Sequence, residues 1–247
     1  MFTDITLYEY AIAFIACMLL GMSKAGIKGI AIVFVTMMAL VFGSKESTGV
    51  VLPLLTVGDI FAVRYYHQHA ERKHLKRLLP WLFAGVLLGT WLGNEINEEL
   101  FQQGMAIIIV ISLVMMIVMD VRKVKSVPGH WSFGGAMGLS AGFTTMVGNL
   151  AGAFTNVYFL AMQLPKNRFI GTAAWLYLLL NIFKLPFHVF VWKTVNTDSL
   201  VHSATLVPAV IAGIFVGIKL VGKIPEKWYR RFIIVMTFLG ALALFLR

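Results

Sequence analysis

The sequence predicts an all-α integral membrane protein in which about ten membrane segments form two inverted five-segment repeats with interrupted helical hairpins. Of its 247 residues, 59% are hydrophobic and 13% are charged, too little polar surface to coat a water-soluble globule of this size. Its apolar runs are continuous and mostly long enough to cross the hydrocarbon layer, which takes about 20 residues per helix. The chain also matches itself when it is shifted by roughly half its length.

Apolar runs separated by breaker residues predict the individual membrane helices. Helices are favoured over barrel strands because barrel strands alternate apolar and polar residues, whereas these runs are continuous. The first run should remain as a helix, since acidic residues precede it where a signal peptide would be basic. We place the helices at 5–22, 28–43, 47–66, 78–94, 100–120, 131–146, 149–163, 168–192, 199–221 and 229–246.

The loops between the predicted helices differ in charge, and this difference predicts their orientation. The loop that contains Arg72, Lys73, Lys76 and Arg77 is strongly basic, whereas residues 94–99 contain three glutamates and no lysine or arginine. Basic loops stay on the cytoplasmic side, so the first loop is predicted inside and the second outside. Ten crossings then place both termini outside.

Several functional classes are disfavoured by the same sequence. The net charge of +10 does not indicate nucleic-acid binding, because the basic residues lie between apolar runs and serve membrane orientation. An intramembrane enzyme is disfavoured because no metal-spaced His or carboxylate cluster and no nucleophile with a paired base occurs. We therefore expect no catalytic residue, no metal and no cofactor, with the lipid bilayer as a partner.

An internal repeat relates residues 1–126 to residues 127–247, with five segments in each half. An odd number of segments makes the second half enter the membrane from the opposite side, as in many secondary transporters. A duplication retained only for packing stays open as the alternative. Shifts of 122 and 128 residues pair Gly26 with Gly148, Asp59 with Asn181, Pro80 with Pro208, Gly85 with Gly213 and Gly89 with Gly217.

Two breaks rich in glycine and small polar residues interrupt the chain at matching places, at Gly21–Gly29 and at Gly142–Gly152. Irregular backbone at membrane depth is tolerated only where it is buried in protein or lines a cavity. A helix that starts after such a break presents unpaired N–H groups and the positive end of its dipole. Two such helix starts facing each other predict a site for a small anion.

The predicted substrate-binding residues lie in these breaks or in the helix that follows, and they supply side-chain donors, positive charge or close backbone approach. For the lysines the alternative is a role in orientation alone. For the glycines and threonines it is close helix packing. The residues are Ser23, Lys24, Gly26, Lys28, Thr144, Thr145, Gly148, Asn149 and Asn156.

Few ionisable residues lie inside the predicted helices, and such residues are costly enough in lipid to indicate function. Asp59 lies in the third helix, and its repeat mate Asn181 shares one helix face with Lys184 and His188. We expect Asp59, Asn181 and Lys184 to line a cavity or to couple transport, with Asp59 and Lys184 as a charge pair or Asp59 as a proton site. His188 is expected to meet a local partner near the outer interface.

The two breaks and one later helix resemble motifs of the TauE/SafE family of sulfite exporters, also called the toluene-sulfonate uptake permease family. The matching stretches are Gly21–Gly26 with Lys28 and Gly29, then Gly142–Thr145, Gly152, and Asn167–Thr172 continuing to Asn181–Pro186. The last stretch is the most specific, and the resemblance extends over nearly the whole chain. Departures occur at Gly26–Gly29, where many members carry three glycines, and at Ala151–Phe154, where Gly-Gly-Pro-Pro is frequent.

The resemblance implies a multi-pass protein of the bacterial cytoplasmic membrane that exports sulfite, an organosulfonate such as sulfoacetate, or a related small sulfur anion. Two alternatives stay open, an anion channel and an uptake permease for another small organic or inorganic anion. A monomer and a homodimer are equally compatible with the sequence.

Overall fold

The computed structural model describes residues 5–27, 30–93, 96–121 and 131–221, together with residues 223, 225, 228, 231 and 235. Within these residues the regular structure is helical. The α-helices are α1 (Leu7–Lys24), α2 (Ile30–Phe42), α3 (Ser47–Tyr66), α4 (Arg72–Gly93), α5 (Glu98–Val121), α6 (Trp131–Gly148), α7 (Ala151–Ala161), α8 (Lys166–Pro186) and α9 (Thr197–Val221). Each of these helices overlaps one predicted segment, and the predicted segment 229–246 falls largely outside the described residues.

Five of the described helical stretches are long and apolar enough to cross a membrane, which supports a multi-pass membrane protein. They are Leu7–Lys24, Ser47–His69, Arg72–Gly93, Lys166–Val191 and Thr197–Val221. By contrast, α2 has 13 residues and α7 has 11. At 1.5 Å per residue these helices are roughly 20 and 17 Å long, shorter than a hydrocarbon layer of about 30 Å. Each packs against the helix before it, as the short arm of a hairpin.

The two largest differences between the predicted and observed helix boundaries each have a local cause. The fourth helix begins at Arg72 instead of 78, because lysine and arginine are good helix formers and extend it beyond its apolar part. The eighth ends at Pro186 and continues as a π-helical turn, Phe187–Val191. A proline removes a backbone donor from the regular ladder, and wider turns of this kind are frequent at functional sites.

Contacts between helices follow the proposed relation between the two halves. The most extensive contacts join α4 with α6 and α1 with α9, while α3 packs against α8 and α9 in the interior. In the predicted repeat, α1 corresponds to α6 and α9 corresponds to α4. The contact of α1 with α9 in one half of the relation therefore corresponds to the contact of α6 with α4 in the other. This is the packing expected of two structurally equivalent halves. Their opposite orientation stays a prediction.

Glycines make the two largest contacts possible. A Cβ atom added to Gly21 or Gly213 would lie 2.1 Å from a main-chain oxygen of the facing helix, and one added to Gly142 or Gly85 would lie 2.0 or 2.2 Å from such an oxygen. No side chain fits at these distances. Small residues of this kind allow membrane helices to approach closely and to pack by van der Waals contact.

Candidate functional site

A cavity of about 50 Å³ lies where the two breaks meet. Its wall is formed by α1 and α2 from the first half, α6 and α7 from the second half, and the central helices α3 and α8. The polar side chains in this wall belong to Ser23, Lys24, Thr145, Asn149, Asn156, Tyr177 and Asn181. Six of these seven are residues that the sequence predicted for the site.

At the first break, α1 ends at Lys24 and the chain turns through Gly26, whose φ of 121° favours glycine. A Cβ atom there would also lie 2.6 Å from Ile170 Cδ1. The Tyr66 hydroxyl donates to the Ala25 carbonyl at 2.8 Å and ties the break to α3. These contacts hold Lys24 in the interior, whereas predicted site residue Lys28 lies outside the described residues.

At the second break, α6 ends at Gly148 and α7 begins at Ala151. Asn149 adopts a left-handed conformation with φ of 59°, which asparagine tolerates better than most residues. The residue before α7 is Leu150, whose side chain cannot cap a helix. Ala151 and Gly152 line the cavity, so the start of α7, which is the positive end of its dipole, borders that space.

Two other predicted residues of the second break serve its structure. The Thr144 hydroxyl donates to the carbonyls of Ala141 and Leu150 at 3.3 and 3.4 Å, which links the end of α6 to the turn. Gly148 is buried as the last residue of α6. Among the described residues that line the cavity, neither Thr144 nor Gly148 is present.

A buried ion pair joins the first break to α3. Lys24 Nζ lies 2.6 Å from Asp59 Oδ1, and Asn181 Nδ2 donates to Asp59 Oδ2 at 2.6 Å. The ammonium group also lies 5.3 Å from the centre of the Tyr177 ring. Asp59 and Asn181, which are mates in the predicted repeat, therefore contact each other, and the carboxylate receives both a cation and an amide donor.

The sequence pointed to Lys184 as the partner of Asp59, and the structure provides Lys24. Lys24 reaches Asp59 because the break ends α1 in the interior, where the negative end of the helix dipole favours a cation. Gly58 leaves space for its stem, since a Cβ atom there would lie 2.8 Å from Lys24 Cγ. Neither feature is visible without the packing of α1 against α3.

Lys184 is fully buried and reaches from α8 into the second break. Its ammonium group donates to Thr145 Oγ1 at 3.1 Å, to the Thr145 carbonyl at 3.4 Å and to Asn149 Oδ1. Within the described part of the chain, these hydrogen-bond acceptors are all uncharged. A buried cation held by neutral dipoles is expensive to desolvate, and a nearby anion would offset that penalty.

Asn156 lies in α7 and is 5% exposed. In the part of the chain that the structure describes, its side-chain oxygen is buried and has no hydrogen-bond partner. Gly152, one turn earlier on the same helix face, leaves open the space between this amide and the start of α7. A Cβ atom on Gly152 would lie 3.8 Å from Asn156 Nδ2 and 3.6 Å from the Tyr177 hydroxyl.

Sequence reasoning missed Tyr177 and the apolar residues Leu55 and Leu180 in the cavity wall. The Tyr177 hydroxyl lies 2.5 Å from Thr155 Oγ1. Tyr177 precedes Asn181 by four residues, and Leu55 precedes Asp59 by four, so each pair shares a helix face. Extending the predicted polar faces by one turn would have found both residues.

His188 has the local partner that the sequence predicted. Its Nδ1 lies 2.9 Å from Thr194 Oγ1, and the ring packs edge-on against Trp192 at 5.2 Å between centroids. Among the described residues, its Nε2 atom is buried without a partner. The residue belongs to the π-helical turn after α8, one helical turn beyond Lys184.

Comparison with known proteins places these features in one family. None of the curated proteins and none of the solved structures compared with the chain matches it. The family model described as sulfite exporter TauE/SafE matches residues 11–244, which include both breaks and every residue of the cavity wall. The family consists of membrane transporters for sulfite and related sulfur anions. The chain therefore belongs to the TauE/SafE family of sulfite exporters.

Proposed function

We propose that the protein is a secondary transporter that exports sulfite or a short organosulfonate across the cytoplasmic membrane. The anion binds in the cavity between the two breaks, near the middle of the bilayer. Lys184, Ser23, Asn149 and the first N–H groups of α7 surround it. Lys24 and Asn181 also line the cavity, and their bonds to Asp59 hold the two halves in register.

The single observation that carries this proposal is the environment of Lys184. Its ammonium group is fully buried, and its hydrogen bonds within the described chain go to uncharged acceptors of the second break. Those acceptors belong to the residues just before α7, whose positive end faces the same space. The Lys184 ammonium group lies behind the part of the cavity wall that Thr145 and Asn149 form, and the start of α7 borders the same cavity. This positive charge and the helix dipole together provide strong electrostatic attraction for an anion in a medium of low dielectric constant.

The size of the cavity restricts the ligand. A water molecule needs roughly 10–15 Å³ of such space, so a cavity of about 50 Å³ holds a few waters or one compact anion. Sulfite and a sulfonate head group match this scale. A sulfonate with a long tail would need the wall to open.

Transport then follows from alternating access of the two halves, 1–126 and 127–247, around the fixed site. The exchangeable contacts of α1 with α9 and of α4 with α6 support structural equivalence of the halves. Opposite insertion of the halves predicts that both termini lie on the outer face. Movement of one half against the other would expose the cavity to each side in turn.

The test is uptake of labelled sulfite into proteoliposomes that contain the wild-type protein or the Lys184→Met variant. We expect wild-type protein to move sulfite faster than empty liposomes and to show counterflow, whereas Lys184→Met loses at least about tenfold in rate because the anion loses its cation. Exposed Lys219 at the end of α9 provides the matched control, Lys219→Met. Wild-type rates equal to those of empty liposomes would disprove the substrate assignment, and conduction without counterflow would indicate a channel.

A further inference from the structure

We infer that the transported anion is a monoanion with a hydrogen-bond donor of its own, which the side-chain oxygen of Asn156 accepts. This inference rests on the proposed function and narrows its substrate class. It concerns an oxyanion that keeps one acidic proton, or a sulfonate with a hydroxyl or amino group close to the sulfur.

Charge around the cavity supports a single negative charge on the ligand. Lys24 lines the cavity, and Lys184 lies directly behind its wall, with hydrogen bonds to the lining residues Thr145 and Asn149. The described residues supply one carboxylate next to these lysines, that of Asp59, which Lys24 contacts at 2.6 Å. One positive charge is left over. A monoanion would neutralise it, whereas a dianion would leave a buried negative charge, which is costly in this medium.

The hydrogen bonds around the cavity support the second part of the inference, a hydrogen-bond donor on the ligand. Three neighbouring side-chain oxygens already accept bonds, Asn149 Oδ1 from Lys184 and the two Asp59 oxygens from Lys24 and Asn181. By contrast, Asn156 Oδ1 is buried without a donor among the described residues. Asn156 also lines the cavity in which the anion is proposed to lie.

A water molecule can donate a hydrogen bond to Asn156 Oδ1 only while no anion occupies the cavity. In a cavity of about 50 Å³, a bound oxyanion displaces the water that would bond to Asn156. A ligand without a donor then leaves the acceptor buried and unpaired, which lowers its affinity. A ligand with an N–H or O–H group replaces the lost bond, so Asn156 discriminates between anions of equal charge and size.

Sulfamate and methanesulfonate make the discriminating pair. Both are compact monoanions with one SO3 group, and they differ by an amino group in place of a methyl group. Binding of each to the purified protein in detergent is measured by calorimetry. We expect sulfamate to bind roughly tenfold more tightly than methanesulfonate, the scale of one buried hydrogen bond.

The Asn156→Leu variant assigns this preference to one side chain, because leucine has a similar size and no acceptor. We expect the affinity ratio to fall to about one, whereas Gln103→Leu, at an exposed position of α5, keeps the wild-type ratio. Equal wild-type affinities, or tighter binding of methanesulfonate, would overturn the inference and leave the proposed function intact. If neither anion nor sulfite binds to the folded wild-type protein, both proposals fail.

Discussion

The predicted repeat matches the break after α1 with the break after α6, yet the lysine beside each break has a different kind of partner. In the first half, the broken helix itself carries the cation, Lys24, and the long helix α3 supplies its carboxylate, Asp59. In the second half, the long helix α8 carries the cation, Lys184, and the broken hairpin supplies neutral acceptors. The repeat mate of Asp59 is Asn181, so the second half lacks the equivalent negative charge.

We propose that this difference gives the two breaks different roles, one in stabilising the fold and one in binding the anion. A paired cation and carboxylate in the interior fix the position of one break without attracting a further ion. We propose that Lys184, whose hydrogen-bond partners among the described residues are uncharged, attracts the anion. In the proposed repeat, matching breaks thus carry different side chains, and we attribute the two proposed roles to the amide of Asn181 in place of a carboxylate such as that of Asp59.

The largest expected effect comes from removing each lysine in turn. Lys24→Met should destabilise the protein by about 3–5 kcal/mol, because it leaves the buried carboxylate of Asp59 without its cation. Lys184→Met should leave the unliganded protein equally or more stable, because it removes a buried charge that has no charged hydrogen-bond partner in the described chain. Denaturant unfolding in detergent micelles, without added anion, measures both values.

The double variant Lys24→Met with Asp59→Asn is the control for the pair. Most of the lost stability should return, since the carboxylate is gone together with its partner. Equal destabilisation by Lys24→Met and Lys184→Met would contradict the division of roles between the two breaks.

An intermediate loss of stability is expected from changing the glycines of the two largest helix contacts. These contacts are alike in the two halves, whereas the charges beside the breaks differ. Gly21→Ala and Gly142→Ala should each destabilise the protein by at least about 1–3 kcal/mol, and by similar amounts, because each new Cβ would lie 2.0–2.1 Å from a main-chain oxygen. Unfolding in detergent compares the two. Gly104→Ala in α5 is the control, since a Cβ there meets its nearest atom at 3.8 Å. A large effect in one half alone would contradict structural equivalence.

The smallest effect is expected at Gly152, which belongs to the cavity and not to a helix contact. Gly152→Ala adds a methyl group at ordinary contact distances of 3.6 and 3.8 Å, so stability should change by less than about 1 kcal/mol. The methyl group still occupies space beside Asn156, and sulfite affinity should fall a few-fold. Calorimetry of Gly152→Ala beside Gly104→Ala measures this. Unchanged sulfite affinity would place the ligand elsewhere.

Much of the fold could be predicted because lipid imposes local rules. Backbone groups in a bilayer must pair within their own helix, so apolar runs and glycine-rich breaks locate α1 to α9 from the sequence alone. The boundary at Arg72 differed because charged helix formers extend α4 beyond its apolar part. The tenth predicted segment falls largely outside the described residues.

The site was less predictable because it depends on contacts between distant segments. Ser23, Asn149 and Asn156 were found because breaks and buried polar residues are visible in the sequence. The pairing of Lys24 with Asp59 was not, since it depends on how α1 packs against α3 and on the space at Gly58. Tyr177 could have been predicted, because it lies one helical turn before Asn181 on the same helix face.

A structure of the protein with bound selenite, a heavier analogue of sulfite, tests the central claim most directly. Anomalous scattering locates the selenium atom without reference to the surrounding density. We predict one site in the cavity, between the Lys184 ammonium group and the first N–H groups of α7, with Asn156 beside it. Selenium bound at the basic start of α4 around Lys73 and Lys76, with the cavity empty, would contradict the account.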